Sequence, residues 1–483
     1  MHASWQSSSL VLALLAGPMV LPVSAEKVVG AYIFSRHGDR TAKVLKNTEL
    51  TDRGYEEVYQ SGSYWHDRYI AANSSLQIEG ISEKIVKLSQ ISASTPSDDV
   101  LQNSAIALLQ GIYPPVGSAA QETLADGSIA KAPLNGYQLI PLSLLDSGAG
   151  SEDNTWLQDA TGCQNAAVSS NNYYSSSLYN GLLDSTKDFY QSLSPMLNST
   201  FESKDMSFKN AYTIFDYLNV AYIHNTTNTP TADQLEKLLQ LANIEQYNLA
   251  YNSTEPVRAI AGSQLAGEVL EALNNTITSQ GKTKLNIQLG SYGTFLSYFG
   301  LAQLPAADVN FTGVPDYASS MSWELVTDST SDEFPDPSDI HVRFLFHNGT
   351  IASGDSPQEY ALFNETSTSI SWTDFVAKTK EFAITSDEDW CRACGNSDGQ
   401  CQSVSSSDSG DASSQSASGH DGGVSRPVAG VIGAMVTLAV ILGLEALLLA
   451  VGGFRIAKKQ KASASAAAVA AHDVAENKAA SKA

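Results

Sequence analysis

Residues 28–41 read Val28-Val29-Gly30-Ala31-Tyr32-Ile33-Phe34-Ser35-Arg36-His37-Gly38-Asp39-Arg40-Thr41. The first seven are almost all apolar, which is typical of a strand buried on both faces in an α/β sheet. The polar residues follow directly, so we expect them on the loop that leaves the carboxyl end of that strand. Ligand sites of open α/β sheets form at this end of the strands. The stretch therefore predicts a central strand followed by a binding loop.

The loop contains Arg36-His37-Gly38-x-Arg40, which has the residue types that phosphoryl transfer needs. An imidazole nitrogen attacks phosphorus, while guanidinium groups hold the phosphoryl oxygens. Arginine suits planar, bidentate contact with these oxygens better than lysine does. The alternative interpretation is an exposed basic turn, and the position directly after a buried strand makes it the less favoured one. The motif therefore predicts a phosphate-binding site.

Periodicity and turn residues predict the other elements. We expect a helix over 51–72 with Thr51 as its N-cap, a second sheet strand over 285–289, and a strand over 342–346 whose turn at 347–350 indicates a hairpin. Further helices are predicted over 101–110, 183–194, 205–223, 233–247 and 256–279. The fold class is therefore α/β, a mixed sheet with helices packed on it and a cleft at the strand ends.

With these residues the chain resembles the histidine acid phosphatase branch of the histidine phosphatase (phosphoglycerate mutase-like) superfamily, the group of fungal phytases and secreted acid phosphatases. The resemblance extends over most of 26–396. Its supporting fragments are Leu50-Thr51-x-x-Gly54 leading to Arg68-Tyr69, Ser104-Ala105 leading to Gly111-Ile112-Tyr113-Pro114, and Leu289-Gly290 leading to Gly300-Leu301. It implies the histidine phosphatase fold, in which a mixed central sheet is flanked by helices and carries a helical cap insert, here roughly within 120–255.

The resemblance also implies a role for each residue of the motif. In the family the first histidine is phosphorylated and both arginines bind phosphate. His37 is therefore expected to be the nucleophile, and Arg36 and Arg40 are expected to bind phosphate. The expected substrate is a phosphate monoester or another phosphorylated small molecule, with neither a cofactor nor a metal ion.

The chain departs from the family pattern at two places. The family has a third phosphate-binding arginine four residues before the Ser-Ala fragment, where this chain has Val100. The family also has Gly-His-Asp after its late strand, where the histidine holds phosphate and the aspartate protonates the leaving oxygen. This chain has Gly290-Ser291-Tyr292 there. Ser291 and Tyr292 are thus the candidates at a degenerate acid site, and Tyr292 either donates a proton or only fills space.

Two functional hypotheses follow. The first is an extracytoplasmic phosphomonoesterase that acts through a phosphohistidine intermediate and is weakened by these losses. The second is a pseudophosphatase, a catalytically degenerate protein that either binds phosphorylated ligands or is a scaffold glycoprotein of the cell surface. The retained loop favours the first hypothesis, and the two departures favour the second.

Two hydrophobic segments bound the part of the chain expected to fold as a domain. Residues 1–25 contain an apolar stretch and end on Val23-Ser24-Ala25, a pattern typical of a signal peptide. Residues 428–454 are long and apolar enough to span a bilayer, and the four basic residues within 455–461 place the tail 455–483 in the cytosol. We expect a single-pass type I membrane protein of the secretory pathway, at the cell surface. Its ectodomain covers 26–401, and a Ser- and Gly-rich stalk covers 402–427.

The charge of the chain limits its partners. The net charge is −23, and the tail contains six basic and two acidic residues, so the rest of the chain carries −27. An exterior this acidic excludes nucleic acid as a partner and disfavours long polyanionic substrates. The chain is also expected to contact a membrane, through its single predicted C-terminal span.

Cysteines and sequons agree with an exported chain. The four cysteines are Cys163, Cys391, Cys394 and Cys401. In an oxidising compartment they predict two disulfides with three possible pairings, and a zinc site built on the Cys-x-x-Cys spacing is the alternative. Candidate N-glycosylation sites are Asn73, Asn198, Asn225, Asn252, Asn274, Asn310, Asn348 and Asn364.

Overall fold

The computed structural model describes residues 26–145, 162–224, 226, 229–397 and 401–402. All of them belong to the first of two compact units, 1–410. The predicted signal peptide, the transmembrane helix, the tail and the stalk beyond Gln402 lie outside the described residues. Within those described, no helix has the length and apolar character needed to cross a membrane.

The described chain contains both strands and helices. The strands are Lys27–Arg36 (β1), Ile91–Pro96 (β2), Glu122–Thr123 (β3), Ile129–Ala130 (β4), Ser143–Leu145 (β5), Leu285–Gly290 (β6), Ser320–Thr327 (β7), His341–His347 (β8), Gln358–Tyr360 (β9) and Ser369–Ser371 (β10). The helices are Asp52–Tyr69 (α1), Asp99–Ile112 (α2), Pro133–Gly136 (α3), Gln164–Asn172 (α4), Ser177–Ser185 (α5), Lys187–Ser192 (α6), Ser194–Leu197 (α7), Ala211–Ile223 (α8), Ala232–Ala250 (α9), Ile260–Thr278 (α10), Tyr292–Leu301 (α11), Trp372–Thr379 (α12) and Asp387–Cys394 (α13).

The main sheet is mixed, as predicted, and β1 lies at its centre. The strand order is β10-β8-β7-β1-β6-β2-β5, with β9 paired to β8. β1, β6, β2 and β5 run parallel to one another, whereas β7 pairs antiparallel with β1 and with β8. The predicted strands over 28–34 and 285–289 are confirmed, and they are direct neighbours.

The central strand is buried on both faces because helices cover both sides of the sheet. Ala31 and Ile33 pack in one apolar cluster with α1 and α2. Tyr32 and Phe34 face the other side, where they pack with α8, α9, α10 and α11. This arrangement explains why residues 28–34 are apolar without alternation.

Most predicted helices are present, with one difference. The helix predicted over 183–194 is instead divided between α5, α6 and α7. Thr186 lies between α5 and α6, and its hydroxyl donates to the Leu182 carbonyl at 2.7 Å. Pro195 lies in the first turn of α7, where the missing N–H is tolerated, but it cannot continue a preceding helix. The hairpin predicted after 342–346 is present as β8 and β9, with a loop longer than the predicted turn.

All four cysteines form disulfides, which confirms that prediction and selects one pairing. Cys163 bonds to Cys394, and Cys391 bonds to Cys401. The bonds join α13 to the N-cap of α4 and to the end of the described chain. The Cys-x-x-Cys pair that offered the zinc alternative is therefore divided between two disulfides.

A buried ion cluster links α1 to the sheet. Glu324 on β7 is fully buried, and its carboxylate accepts from Arg68 Nε at 2.7 Å and from Arg343 Nε at 2.7 Å. The Tyr69 hydroxyl donates to the same carboxylate at 2.7 Å. Burial alone would raise the pKa of Glu324, but the charges and hydrogen bonds of the two arginines outweigh it and hold the pKa below its ordinary value. The Arg68-Tyr69 fragment therefore has a structural role.

Replacing Glu324 by Gln should lower the free energy of unfolding by about 3–5 kcal/mol near pH 7, because it removes the buried carboxylate that pairs with Arg68 and Arg343. Among the described residues, Arg343 then keeps only its more exposed partners Glu26 and Glu359. The folded-state pKa of Glu324 is depressed, so its contribution is present above the ordinary value of 4.5 and is lost as pH falls through the folded pKa. The difference between the two proteins should therefore shrink at acid pH. Urea unfolding at pH 7 and pH 4 measures both effects, with the exposed Glu333→Gln as control. Equal stability of E324Q and the parent at pH 7 would contradict this role.

Candidate functional site

Three loops meet at the carboxyl edge of the parallel part of the sheet. β1, β2 and β6 run in the same direction and end at Arg36, Pro96 and Gly290. Two helices begin at this edge, with Asp98 as the N-cap residue of α2 and Ser291 as that of α11. The structure thus brings the loop after β1 and the degenerate acid position to the same edge, as expected for an open α/β sheet.

The loop after β1 lies against the first turn of α1. Gly38 and Gly54 approach so closely that a Cβ atom on either would overlap backbone of the facing segment. Thr51 caps α1, as predicted, by accepting from the Gly54 N–H at 3.1 Å, and its own N–H donates to the Asp39 carbonyl at 3.0 Å. The Ser104 hydroxyl of α2 accepts the Gly38 N–H at 3.3 Å. Two helix N-terminal regions therefore hold the loop backbone.

His37 has the tautomer that a nucleophile at Nε2 requires. Its Nδ1 lies 2.8 Å from the Gly38 carbonyl oxygen, which only accepts, so Nδ1 carries the proton. In a neutral ring this arrangement leaves the lone pair on Nε2. The side chain is fully buried, and its ring centroid lies 5.6 Å from that of Tyr317. The ring is therefore buried beside an aromatic side chain.

Arg36 is enclosed by aromatic rings. Its guanidinium carbon lies 4.6 Å from the ring centre of Tyr317 and 5.3 Å from that of Tyr292. Nη1 donates to the Pro315 carbonyl, and Nη2 lies 3.5 Å from the Tyr212 hydroxyl. Cation–π contacts and a carbonyl acceptor thus stabilise a charge that is almost completely buried.

Arg40 has a carboxylate partner. Its Nη1 lies 3.0 Å and 3.2 Å from the two carboxylate oxygens of Asp216, and both side chains are buried. The Lys43 N–H also donates to Asp216 at 2.8 Å, and the Tyr317 hydroxyl does so at 3.4 Å. Burial raises the pKa of the Tyr317 phenol well above its ordinary value, so the hydroxyl keeps its proton and donates.

The positions that depart from the family pattern are filled by neutral side chains. Val100 is fully buried in the first turn of α2. Ser291 is buried at the start of α11, and the Tyr292 ring lies against Tyr212 with a centroid distance of 4.5 Å. The Tyr292 hydroxyl donates to Gln246 Oε1 at 3.1 Å. These contacts favour the space-filling interpretation of Tyr292 over the proton donor.

Sequence reasoning missed the contribution of α8. Tyr212, Asp216 and the C-cap residue His224 all contact the loop, the last through a 2.7 Å contact between His224 Nε2 and Asp39 Oδ2. A signal was present, because Asp216 is the only acidic residue in an otherwise largely apolar helix. The partner of Asp216 is 176 residues away, so local sequence did not identify it. The side chain of His224 is 34% exposed.

The arrangement offers an oriented imidazole and two guanidinium groups at one strand end. These groups suit the binding and transfer of a phosphoryl group. In the structure described, however, carboxylate, carbonyl and aromatic groups of the protein surround the same cations. Both arginines therefore already have partners within the protein.

Replacing Gly54 by Ala should lower the free energy of unfolding by about 1–3 kcal/mol, because the added methyl group overlaps the Asp39 backbone. The matched control is Gly181→Ala in α5, where nothing lies within 4 Å of the added atom. That change should raise stability by roughly 0.5–1 kcal/mol, the usual effect of removing a helix glycine. Denaturant unfolding of both variants measures the difference. A stabilised G54A protein would contradict the close contact between loop and helix.

Comparison with known proteins places the fold. The phytase of Klebsiella sp. ASR1 matches with a TM-score of 0.50 at 12% identity, over 77% of this chain and 96% of that chain. The Hafnia alvei phytase in complex with tartrate matches with a TM-score of 0.50 at 11% identity, over 77% and 99%. At this identity the likeness shows a shared fold.

Sequence comparison identifies the family. No curated protein matches the chain. The family model described as histidine phosphatase superfamily (branch 2) matches residues 43–347, which is more than half of the chain. The match begins just after the loop and includes α1, the parallel strands β2, β5 and β6, and α8. The resemblance drawn from the motif is therefore confirmed, and the chain belongs to branch 2 of the histidine phosphatase superfamily.

Proposed function

We propose that this chain is an extracytoplasmic phosphomonoesterase that acts through a phosphohistidine at His37 and is slower than a complete member of its family. Membership of branch 2 supports a phosphatase-type function. The observation that carries the finer proposal is the 2.8 Å contact of His37 Nδ1 with the Gly38 carbonyl oxygen, which places a proton on Nδ1 and makes Nε2 the nitrogen that can attack phosphorus. Arg36 and Arg40 flank this ring in sequence and supply the positive charge that phosphoryl transfer requires.

The reaction has two steps. His37 Nε2 attacks phosphorus, so a P–N bond forms, the bond from phosphorus to the leaving oxygen breaks, and Arg36 and Arg40 neutralise the phosphoryl oxygens. Water then attacks the phosphohistidine, which releases inorganic phosphate and restores the imidazole. The leaving oxygen needs a proton in the first step, and the Ser291-Tyr292 pair lacks the carboxylic acid that would supply it.

The losses affect different parts of this reaction. A missing clamp arginine at Val100 reduces the rate by about 10²–10³, by analogy with the loss of an oxyanion donor. A missing general acid reduces it by about 10²–10⁴ more, and the loss is smallest for a good leaving group. The activity expected is therefore weak and strongly dependent on the leaving group.

The pseudophosphatase is the second candidate, and a specific observation favours it. His37 is fully buried, Arg40 is paired with Asp216, and Arg36 lies between two tyrosine rings. In this function the loop stabilises the domain or binds a phosphorylated ligand without hydrolysing it. Fold alone does not decide between the two candidates.

The surroundings of the site limit the substrate. A Hafnia alvei phytase is known in complex with myo-inositol hexakis sulphate, a polyanion. This chain has a net charge of −23, and acidic residues lie close to the site, among them Asp216 and Asp316. We therefore propose a small phosphate monoester with a neutral or cationic leaving group, and neither inositol polyphosphates nor nucleic acid.

The leaving group provides the test of catalysis. Residues 26–401 should hydrolyse p-nitrophenyl phosphate measurably, whereas an alkyl phosphate should react roughly 10²–10⁴-fold more slowly because its oxygen needs a proton. Restoring the acid pair as Ser291→His with Tyr292→Asp should raise alkyl phosphate turnover more than aryl turnover. Steady-state rates between pH 3 and pH 7 measure this ratio.

His37→Ala is the control for the nucleophile, and it should abolish turnover of both esters. If the parent hydrolyses neither ester, and His37→Ala binds phosphate as well as the parent does, the loop has no part in the function. The pseudophosphatase would then be the better supported of the two candidate functions.

We further propose that the domain is held outside the cell by the 428–454 helix. The signal-like start, the eight sequons and the two disulfides support this orientation. Glycosidase treatment should reduce the mass of the protein expressed in eukaryotic cells, and a C-terminal tag should bind antibody only after permeabilisation. Antibody binding to the tag on intact cells would contradict the type I orientation.

A further inference from the structure

Asp216 lies in a site built for an anion. Its carboxylate is buried and accepts from Arg40 Nη1, the Lys43 N–H and the Tyr317 hydroxyl. These donors come from the loop after β1 and from the segment before β7, and they converge on the carboxylate of α8. A guanidinium, a backbone N–H and a phenol are the kinds of donor that phosphoryl oxygens also accept from.

The carboxylate and a phosphoryl group compete for one cation. Arg40 Nη1 lies 3.0 Å and 3.2 Å from the two Asp216 oxygens, so this nitrogen is already directed at an anion. A phosphoryl oxygen placed on the same nitrogen would come close to the carboxylate, and two anions at that distance repel each other strongly in a buried site. The two anions therefore cannot share this nitrogen without strong repulsion.

The rest of α8 strengthens the hold of Asp216 on the loop. Tyr212, one turn before it, places its hydroxyl 3.5 Å from Arg36 Nη2. His224 at the C-cap contacts Asp39 Oδ2 at 2.7 Å. Three points along one helix thus contact three charged residues of the loop, and displacement of Asp216 would disturb the helix as a unit.

We propose that Asp216 is an internal competitor that occupies the phosphoryl position on Arg40, and that phosphate esters bind only by displacing it. Asp216 is then a positioning residue that determines the affinity of the site, and this inference rests on the proposed role of Arg40 in phosphate binding. A dianionic phosphoryl group displaces the carboxylate because it has a larger charge and more acceptor oxygens. A monocarboxylate such as acetate has the same charge and the same number of acceptor oxygens as the Asp216 side chain, so it should not displace Asp216.

The central experiment compares Asp216→Asn with the parent chain. Asparagine keeps the size of the side chain but removes its charge, so Arg40 is released for an external anion. Calorimetric titration with inorganic phosphate should show roughly tenfold or tighter binding to D216N, the scale of one charge-assisted hydrogen bond. Phosphate should also raise the Tm of D216N more than that of the parent. The control Asp184→Asn removes an exposed carboxylate on α5 and should leave phosphate affinity unchanged.

Two further measurements keep the inference testable if D216N folds poorly. Asp216→Ala removes the competitor and leaves space, so it should bind phosphate at least as tightly as D216N. In the parent chain, amide hydrogen exchange over 211–224 should become faster when millimolar phosphate binds, because α8 loses its contact with the loop.

The outcomes separate this inference from the proposed function. If D216N binds phosphate tightly but neither protein hydrolyses esters, the role of Asp216 as a competitor is supported and the proposed phosphomonoesterase activity is wrong. If D216N hydrolyses aryl phosphate with the same KM as the parent and binds phosphate with the same affinity, the phosphomonoesterase activity is supported. The proposed competition by Asp216 is then wrong. Binding of phosphate to the parent without any change in exchange of α8 would also overturn it.

Discussion

The candidate site depends on the contact between Gly38 and Gly54. Only two residues without Cβ atoms let the loop after β1 lie directly on the first turn of α1. This contact brings the Asp39 carbonyl to the Thr51 N–H and directs the following arginine back toward the helical layer. The orientation of His37 follows, because its ring is held by the carbonyl of the same glycine. A change in this backbone contact would therefore reach every charged group of the site.

Burial of these charges explains the composition around them. A guanidinium removed from water needs acceptors or a counter-ion, and the fold supplies a carboxylate to Arg40 and a carbonyl with two tyrosine rings to Arg36. The absence of an arginine at Val100 lowers the positive charge that must be compensated. The positive charges of the site are thus largely compensated by groups of the protein itself. A cleft with uncompensated arginines would instead need an external anion to neutralise them.

Local sequence patterns predicted the elements that carry the loop, but not its partners. The apolar run predicted β1, Thr51 predicted the start of α1, and Ser291 and Tyr292 directly follow the strand predicted over 285–289. Asp216 and Tyr317 were missed because they reach the loop from 176 and 277 residues away, respectively, and no period relates them to it. The disulfide pairing was left open for the same reason, since Cys163 and Cys394 are 231 residues apart. The helix predicted over 183–194 is divided near Thr186, whose hydroxyl donates to the Leu182 carbonyl, and before Pro195. A hydrophobic pattern does not reveal either feature.

The central position of β1 also affects how the chain reaches its native state. β1 is made first, yet its two partners are β6 and β7, the second of which ends at Thr327. At a synthesis rate of 5–20 residues per second, roughly 15–60 s pass before the last of these partners emerges. During that interval the apolar strand has no sheet to join, while α1 and α2 are already available to pack against each other. The pairing of β1 is therefore strongly non-local, and strand pairing of this kind folds slowly and leaves an apolar segment exposed until its partners have been made.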